Sequence, residues 1–256
     1  MSEVLSNIVP PTARVVLNRP EKRNAVTAAM WQSLRDIAGQ LAAEPSVRVA
    51  VLSGAGTEAF SAGADIAEMQ RNLADPQRMK TMQDVVLEAQ QSWEELPIPT
   101  IAMIRGACTG GGCGLALACD LRFATPDAFF AIPPAKLGLA YCLADTKRLF
   151  DLVGPSRTKE ILYTGRKVGA AEALRLGLIN DIVPAEELEA HALRVAHDIA
   201  ANAGNSVRAA KAVVNMIAAG TRTETAESRR YYDESFSSPE FLEGARAFME
   251  KRPPRF

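Results

Sequence analysis

Two glycine-bearing segments contain the residues of this chain that are best suited to contact a ligand through the backbone. The first, Ser53–Met69, reads SGAGTEAFSAGADIAEM, and the second, Gly106–Asp120, reads GACTGGGCGLALACD. Glycine lets a backbone approach a ligand closely, and the first N–H groups of a helix have no partner within the helix. Such free donors stabilise negative charge. The segments therefore indicate either an anion-stabilising turn or tight packing of a helix on a sheet.

The residues around both segments predict that each follows a strand. Thr100–Ile104 (TIAMI) has the length and β-branched content of a strand, and Leu115–Ala118 are good helix formers. Val47–Leu52 predicts the strand before the first segment, in which Gly63–Asp65 opens a short helix. The second segment lacks both the Lys-Ser/Thr pair of a Walker loop and the G-x-G-x-x-G spacing. Neither nucleotide-binding motif is therefore indicated.

Strands alternate with helices along the first part of the chain, which favours an α/β fold of stacked units. Thr27 is the predicted N-cap of an amphipathic helix that runs to about Ala43. Gly177 is the predicted C-cap of a later helix. Beyond Pro184 the pattern is helical nearly to the end. We therefore predict an α/β core over residues 1–184 and a C-terminal helical region over residues 185–256.

The composition argues against several classes of protein. Hydrophobic residues make up 48% and charged residues 23% of the 256 residues, and the formal net charge of −1 argues against a general nucleic-acid surface. No apolar run has membrane-spanning length, and the start, MSEVLSNIVPP, does not resemble a signal peptide. The four cysteines form no C-x-x-C pair, so neither a zinc site nor a disulfide framework is predicted. We expect a cytoplasmic protein without a metal.

A series of motifs in a fixed order resembles the crotonase (enoyl-CoA hydratase/isomerase) superfamily. Besides the two glycine-bearing segments, the matching stretches are LNRPEKRNAV at Leu17–Val26, FATPDAFFAIPPAKLGL at Phe123–Leu139, RLGLINDIV at Arg175–Val183 and GARAFMEKRPPRF at Gly244–Phe256. The resemblance covers essentially the whole chain. It implies a crotonase-type core of repeated ββα units, and association through the C-terminal helices into trimers or dimers of trimers.

The resemblance also implies a substrate and a set of binding residues. Members of the family bind an acyl-CoA and form an enolate of its thioester, so coenzyme A enters with the substrate and no other cofactor is implied. Residue-by-residue matching places the two amide donors of the oxyanion hole at Ala64 and Gly111. Coenzyme A contacts are implied for Lys22, Ala62, Asp65, Ile66, Phe248 and Lys251, the last two from a neighbouring subunit. The two lysines are equally consistent with ordinary solvated side chains.

The sequence departs from the hydratases at both catalytic positions. Where the resemblance places the two hydratase glutamates, this chain has Gly114 and Pro134, neither of which transfers a proton. Tyr141 lies in a loop similar to that of methylmalonyl-CoA decarboxylase, which has a tyrosine there but differs at the positions of Gly114 and Ala64. Losing CO2 yields the enolate without a base. Tyr141 is therefore either catalytic or a wall residue whose hydroxyl bonds the backbone.

Three nearby polar residues have local interpretations. Cys142, where some relatives place a catalytic aspartate, is either an inert or a reactive thiol. Asp145 is the predicted N-cap of a helix beginning at Thr146, and Glu68 is expected to be solvated. Three functions follow from the sequence. They are an enolate-stabilising enzyme of the enoyl-CoA hydratase/isomerase family, a carbon–carbon bond-cleaving enzyme that uses Tyr141, and a non-catalytic acyl-CoA-binding protein.

Overall fold

Two β-sheets organise the protein, and the structure, a computed structural model, describes residues 2–256. The larger sheet has six strands: β1 Val4–Val9, β2 Thr12–Leu17, β3 Val49–Gly54, β5 Thr100–Ile104, β7 Leu121–Ala124 and β10 Asp181–Ile182. They lie side by side in chain order, with β1 antiparallel to β2 and all other pairs parallel. The strand predicted at Thr100–Ile104 is confirmed with the same bounds.

One strand of a smaller second sheet is predicted by the sequence, by the apolar run Ala128–Ile132, and the other three strands are not. Its strands are β4 Ala59–Ser61, β6 Ala107–Thr109, β8 Phe129–Ala131 and β9 Lys167–Gly169, in the order β4-β6-β8-β9. The first three run parallel and β9 runs antiparallel to β8. Each strand has three residues, which is too short to show the alternation of polar and apolar side chains that identifies a strand, and only β8 lies within a longer apolar run. Two of them, β4 and β6, lie inside the glycine-bearing segments.

Ten helices accompany the sheets among residues 2–256: α1 Ala28–Ala43, α2 Ile66–Asn72, α3 Pro76–Glu94, α4 Gly111–Leu117, α5 Leu143–Thr164, α6 Ala170–Leu176, α7 Leu188–Ala200, α8 Gly204–Ala218, α9 Ala226–Ser235 and α10 Pro239–Met249. The predicted caps of α1 and α6 are confirmed. Thr27 accepts a hydrogen bond from the Met30 amide, and Gly177 ends α6 in the left-handed region. No helix in this part of the chain has the length and apolarity needed to cross a membrane.

Three successive units repeat one order of elements. In each, a strand of the larger sheet is followed by a strand of the smaller sheet and then by a helix: β3-β4-α2, β5-β6-α4 and β7-β8-α5. This is the ββα repeat that the crotonase resemblance implies. Because β4 and β6 are parallel neighbours, the turns that lead from them into α2 and α4 emerge at the same edge of the smaller sheet. The fold therefore brings the two glycine-bearing segments together.

The larger sheet is buried on both faces. Ala50 and Leu52 of β3 belong to the main core with α1 and α3, in which Trp31 and Trp93 are fully buried. The residues on the opposite face of the sheet, among them Val49 and Val51 of β3, pack against α7. Helix α7 buries Leu188, Ala192, Ala196 and Ala200. Helices α8 to α10 bury only Gly204 and Ala247 among their residues. Helix α7, the first helix after residue 184, packs directly on the larger sheet. The division into a core over residues 1–184 and a helical region over residues 185–256 stays a prediction.

Candidate functional site

The turns after β4 and β6 are in van der Waals contact. Gly63 and Gly110 have φ angles of 94° and 54°, a region that favours glycine. A Cβ atom added to Gly63 would lie 2.8 Å from the Thr109 carbonyl oxygen, and one added to Gly110 would lie 3.8 Å from Gly63 Cα. The Thr109 hydroxyl also donates a 2.7 Å hydrogen bond to the Ala62 carbonyl. Glycine at both positions permits this close approach of two backbones.

The amides that follow these glycines, those of Ala64 and Gly111, have no acceptor among residues 2–256. Ala64 pairs with Val26 in a parallel bridge, but the two bonds of that bridge use other amides. The Val26 amide donates to the Gly63 carbonyl at 2.8 Å, and the Asp65 amide donates to the Val26 carbonyl at 3.2 Å. Gly111 is the first residue of α4, where an N–H has no acceptor within the helix. Two free donors therefore lie on two touching turns.

Side chains of α2 hold the Ala64 turn in place. Asp65 caps α2 by accepting a 3.0 Å hydrogen bond from the Glu68 amide, and it also accepts one from Arg19 at 3.0 Å. The bond from the Glu68 amide, with the charge of Arg19 in support, lowers the pKa of Asp65. Glu68 is half-buried and accepts a 2.9 Å hydrogen bond from the Ala28 amide at the start of α1. The expectation that Glu68 is simply solvated was therefore wrong.

Replacing Asp65 by alanine is expected to destabilise the protein by about 0.5–2 kcal/mol, the usual cost of losing an N-cap. A carboxyl group with a lowered pKa stabilises the fold above its unfolded-state pKa, and this contribution is lost as the pH falls through the folded-state pKa. Urea denaturation should therefore show a larger effect at pH 7 than near pH 3. Asp65→Asn, which keeps a capping oxygen, should cost less than Asp65→Ala. Equal stability of Asp65→Ala and the parent protein would contradict the prediction.

A groove of about 660 Å³ opens beside Ala64. Four of the residues predicted to contact coenzyme A line it, together with two arginines that sequence reasoning missed: Lys22, Ala62, Asp65, Ile66, Arg19 and Arg71. Arg19 is engaged by Asp65 and Glu3, whereas the exposed Lys22 and Arg71 form no ion pair among the described residues. Ile66 is 59% exposed. The groove thus offers two available cations and an apolar surface next to the free Ala64 amide.

The two predicted contacts from the C-terminus lie elsewhere in the single chain. Phe248 is 86% exposed near the end of α10, and Lys251 follows that helix. Neither residue lines the groove. Their predicted contact with coenzyme A, which requires a neighbouring subunit, stays a prediction.

Gly114, where the hydratases have a glutamate, faces a buried polar cluster. A Cβ atom at this position would lie 2.4 Å from Gln90 Nε2 and 2.7 and 2.8 Å from the two carboxylate oxygens of Asp145. Gln90 Nε2 also donates to the Gly111 carbonyl at 3.2 Å. Side chains from α3 and α5 therefore fill the space beside Gly114. At the other glutamate position, Pro134 begins a single 3-10 turn and contributes no titratable group.

The carboxylate of Asp145 points into the protein and does not cap a helix. Helix α5 begins at Leu143, and its N-cap is Cys142, whose Sγ atom accepts a hydrogen bond from the Asp145 amide at 3.4 Å. The predicted N-cap at Asp145 was therefore wrong. Asp145 is only 4% exposed and accepts a 2.8 Å hydrogen bond from Arg148. Burial raises the pKa of the Asp145 carboxyl, and the neighbouring Arg148 opposes the shift.

Arg148 connects this carboxylate to α3. Its guanidinium donates to Glu94 at 2.6 and 3.1 Å and to the Gln90 side-chain oxygen at 3.4 Å. Sequence reasoning missed Gln90 and Arg148, since only the packing of α3 on α4 and α5 brings them to Gly114.

Burial also raises the pKa of the Cys142 thiol, which disfavours a reactive thiolate.

Tyr141 and Trp31 present buried donors without partners. The Tyr141 hydroxyl and the Trp31 indole N–H have no hydrogen-bond partner among residues 2–256. Tyr141 packs against the main core, but its hydroxyl does not form the backbone hydrogen bond that was expected of a wall residue. Burial and then the charge of Asp145 raise the pKa of Tyr141, so the phenol stays protonated. The Trp31 ring lies beside Gly111, with Cζ2 3.3 Å from a Cβ added there. Trp31 is one of the buried apolar residues of α1, and nothing in the sequence indicated its contact with Gly111.

Comparison with known proteins identifies close similarities along the whole chain. A sequence model described as enoyl-CoA hydratase/isomerase matches residues 11–256. The short-chain-enoyl-CoA hydratase of Clostridium acetobutylicum is 33% identical over 242 residues, which cover 94% of this chain and 92% of that protein. The crotonyl-CoA hydratase of Syntrophomonas wolfei is 33% identical over 249 residues, covering 95% and 94%. A solved enoyl-CoA hydratase/isomerase family protein from Hyphomonas neptunium is 40% identical, with a TM-score of 0.96 and coverage of 100% and 97%.

Proposed function

Because this chain belongs to the enoyl-CoA hydratase/isomerase family of acyl-CoA enzymes, we propose that it stabilises a thioester enolate through the main-chain amides of Ala64 and Gly111. The observation that carries this proposal is the pair of amides without acceptors on two touching turns. Negative charge grows on the thioester oxygen as the enolate forms. Donors that are already fixed in place meet that charge without reorganising.

The groove beside Ala64 supports binding of the coenzyme A part of the substrate. Lys22 and Arg71 have no ion pair among the described residues and suit the phosphate groups by charge. Ile66 offers exposed apolar surface for the rest of the coenzyme. Asp65 lies in the groove but is held by the α2 amides and Arg19, so we assign it to positioning the Ala64 turn.

A second candidate reaction, decarboxylation of a malonyl-type thioester, is favoured by the unpartnered Tyr141 hydroxyl. Hydration needs a group that activates water and delivers a proton, and Gly114 and Pro134 supply none. In a decarboxylation, the bond between Cα and the carboxylate breaks, its electron pair forms the enolate, and CO2 leaves. A buried phenol that still carries its proton can donate a hydrogen bond to the carboxylate or return a proton to Cα.

Incubation with crotonyl-CoA and with methylmalonyl-CoA, each followed by mass spectrometry and calorimetry, tests these alternatives. Water addition to crotonyl-CoA would support hydratase activity, and CO2 release from methylmalonyl-CoA would support decarboxylation. Tight binding with no turnover of either thioester would favour a non-catalytic binder over both reactions. No heat with any acyl-CoA would contradict the proposed function.

If methylmalonyl-CoA is the substrate, Tyr141→Phe is expected to lower the rate of CO2 release by about 10²–10⁴-fold, the usual contribution of a positioned proton donor. Affinity for the thioester should change little, because the phenyl ring still fills its site. Tyr163→Phe is the matched control, since Tyr163 is 74% exposed and lies far along α5. Equal rates for the two variants would assign Tyr141 to packing alone.

We also propose that helices α8 to α10 mediate association into trimers or dimers of trimers. Large apolar side chains on the last two helices, or directly after α9, are exposed in the single chain: Tyr232, Phe236, Phe241, Leu242, Phe248 and Met249. Exposed apolar surface of this extent is typical of an interaction site. Light scattering of the full chain tests the oligomeric state, and a monomer would contradict this proposal.

A further inference from the structure

We propose that Asp145 supplies the acid–base carboxylate that is missing at positions 114 and 134, and that it reaches the acyl end of the site from α5 instead of α4. This inference rests on the proposed enolate chemistry of Ala64 and Gly111. It adds to that chemistry the group that moves the proton.

The position of the carboxylate relative to α4 is the first observation. Gly111 and Gly114 are three residues apart, so they lie on one face of α4 with roughly 5–6 Å between their Cβ positions. Both oxygens of Asp145 lie within 2.8 Å of the Cβ position of residue 114. The carboxylate thus occupies the start of the space that a glutamate at 114 would use. A substrate held at Gly111 is within its reach, directly or through one water.

The hydrogen bonding of Asp145 leaves part of the carboxylate available. Arg148 donates to Oδ1 at 2.8 Å, which is the one side-chain hydrogen bond to this carboxylate with full geometry among residues 2–256. The nearby Cys142 and Tyr141 side chains lower the pKa of Asp145 without completing such a bond. Arg148 is itself shared with Glu94 at 2.6 Å, so it does not depend on Asp145 alone for a counter-charge. A buried carboxylate normally accepts several hydrogen bonds. An oxygen left without a donor in this setting is suited to accept a proton.

The neighbours of Asp145 are the second observation. Tyr141 Oη lies close enough to the Asp145 carboxylate for the two groups to perturb each other's pKa, and ring carbons of Trp31 lie beside the Gly111 Cβ position. The Tyr141 hydroxyl and the Trp31 indole N–H are both buried and have no hydrogen-bond partner among residues 2–256. Buried donors without partners are rare in folded proteins and call for an explanation. The Asp145 carboxylate lies at Gly114 and the Trp31 ring lies at Gly111, so both side chains adjoin the face of α4 that carries these two glycines. A polar group on the acyl part of a bound thioester would satisfy the Tyr141 hydroxyl.

The proposed step is proton transfer at Cα. The Asp145 carboxylate removes one Cα proton, and the electron pair of that C–H bond forms the enolate whose oxygen is held by the Ala64 and Gly111 amides. The protonated carboxyl then returns a proton to carbon. In D2O the carboxyl exchanges with solvent and returns deuterium. Burial, which raises the pKa of Asp145, strengthens it as a base relative to a solvated aspartate.

Exchange of the Cα protons of butyryl-CoA in D2O, followed by NMR, tests the step without requiring the physiological reaction. The parent protein is expected to catalyse exchange, and Asp145→Asn is expected to lower its rate at least about 100-fold with unchanged affinity by calorimetry. Asp145→Glu should retain part of the rate. Asp151→Asn is the matched control, because Asp151 lies on the same helix in a half-exposed pair with Lys147. Its rate should equal that of the parent protein.

The pH profile separates catalysis from a merely structural role. Five titratable groups surround Asp145 and Tyr141 or pair with them: Cys113, Tyr141, Cys142, Glu94 and Arg148. The exchange rate should fall as the pH is lowered through the Asp145 pKa, which lies above that of a free aspartate. This acidic limb should be absent from the residual rate of Asp145→Asn. A profile of unchanged shape would overturn the inference.

Moving the carboxylate from α5 to α4 by mutation gives an independent test. Gly114→Glu combined with Asp145→Gly moves the carboxylate back to α4 and removes the clash with Asp145, so that only the flexible end of Gln90 has to shift. This double variant should regain proton exchange relative to Asp145→Gly alone. Gly114→Glu alone should be destabilised, because its Cβ would clash with Gln90 and Asp145. Binding of butyryl-CoA without exchange, or full exchange by Asp145→Asn, would overturn the role of Asp145 and leave the proposed function intact. Absence of binding would overturn the proposed function itself.

Discussion

Gly111→Pro is expected to slow enolate formation about 100- to 1,000-fold, the usual cost of removing one donor from an oxyanion hole. Proline lacks the N–H, and it is tolerated at the first position of a helix, which is where Gly111 lies. Gly110 precedes it, so the restriction that proline places on the previous residue falls on a glycine. The rate of butyryl-CoA exchange, or of CO2 release from methylmalonyl-CoA, measures the effect.

Gly111→Ala is the matched control for this prediction. Alanine adds the same Cβ atom, 3.3 Å from Trp31 Cζ2, and keeps the N–H. If the amide is the catalytic donor, the alanine variant should stay within a few-fold of the parent rate and the proline variant should not. Equal losses in the two variants would show that packing against Trp31 explains the effect.

Local signals predicted the long elements because those signals are physical and short-range. Thr27 caps α1 as predicted, since its hydroxyl needs only the amide three residues on. The strand at Thr100–Ile104 is fully buried, so its continuous apolar run was sufficient. In the smaller sheet the apolar run Ala128–Ile132 indicated β8, whereas β4, β6 and β9 were missed. These three-residue strands depend on pairing with segments far along the chain, and no local pattern reports such pairing.

The same difference between local and long-range signals decides which residues of the candidate site could be predicted. Ala64 and Gly111 could be proposed because the glycines before them and the family motifs are visible in the sequence. The cap of α5 could not, since aspartate is ordinarily a better N-cap than cysteine. At Asp145 the buried Arg148 competes for the carboxylate, and the Cys142 thiol takes the capping position. The contact of Asp145 with the Gly114 position joins two helices that no local rule relates.

Arg148→Met is expected to destabilise the protein by about 3–5 kcal/mol, because it leaves the buried Asp145 carboxylate without a counter-charge. Glu94, the other partner of Arg148, has a side chain that is 44% exposed and can be solvated instead. Arg157→Met is the matched control, because Arg157 lies on the same helix and pairs at the surface with Glu160. Urea denaturation of the two variants should show a small loss for the control, within about 1 kcal/mol.

The pH dependence of this loss identifies its cause. Without Arg148 the pKa of Asp145 should rise further above that of the unfolded chain. A carboxyl group with a raised pKa favours the fold at low pH, and that contribution is lost as the pH rises through the raised pKa. The destabilisation should therefore be larger at pH 8 than at pH 5. Arg148→Met combined with Asp145→Asn should recover part of the stability, because an amide carries no charge to bury. A loss that is independent of pH and unchanged in the double variant would mean that the packing of the Arg148 stem is responsible.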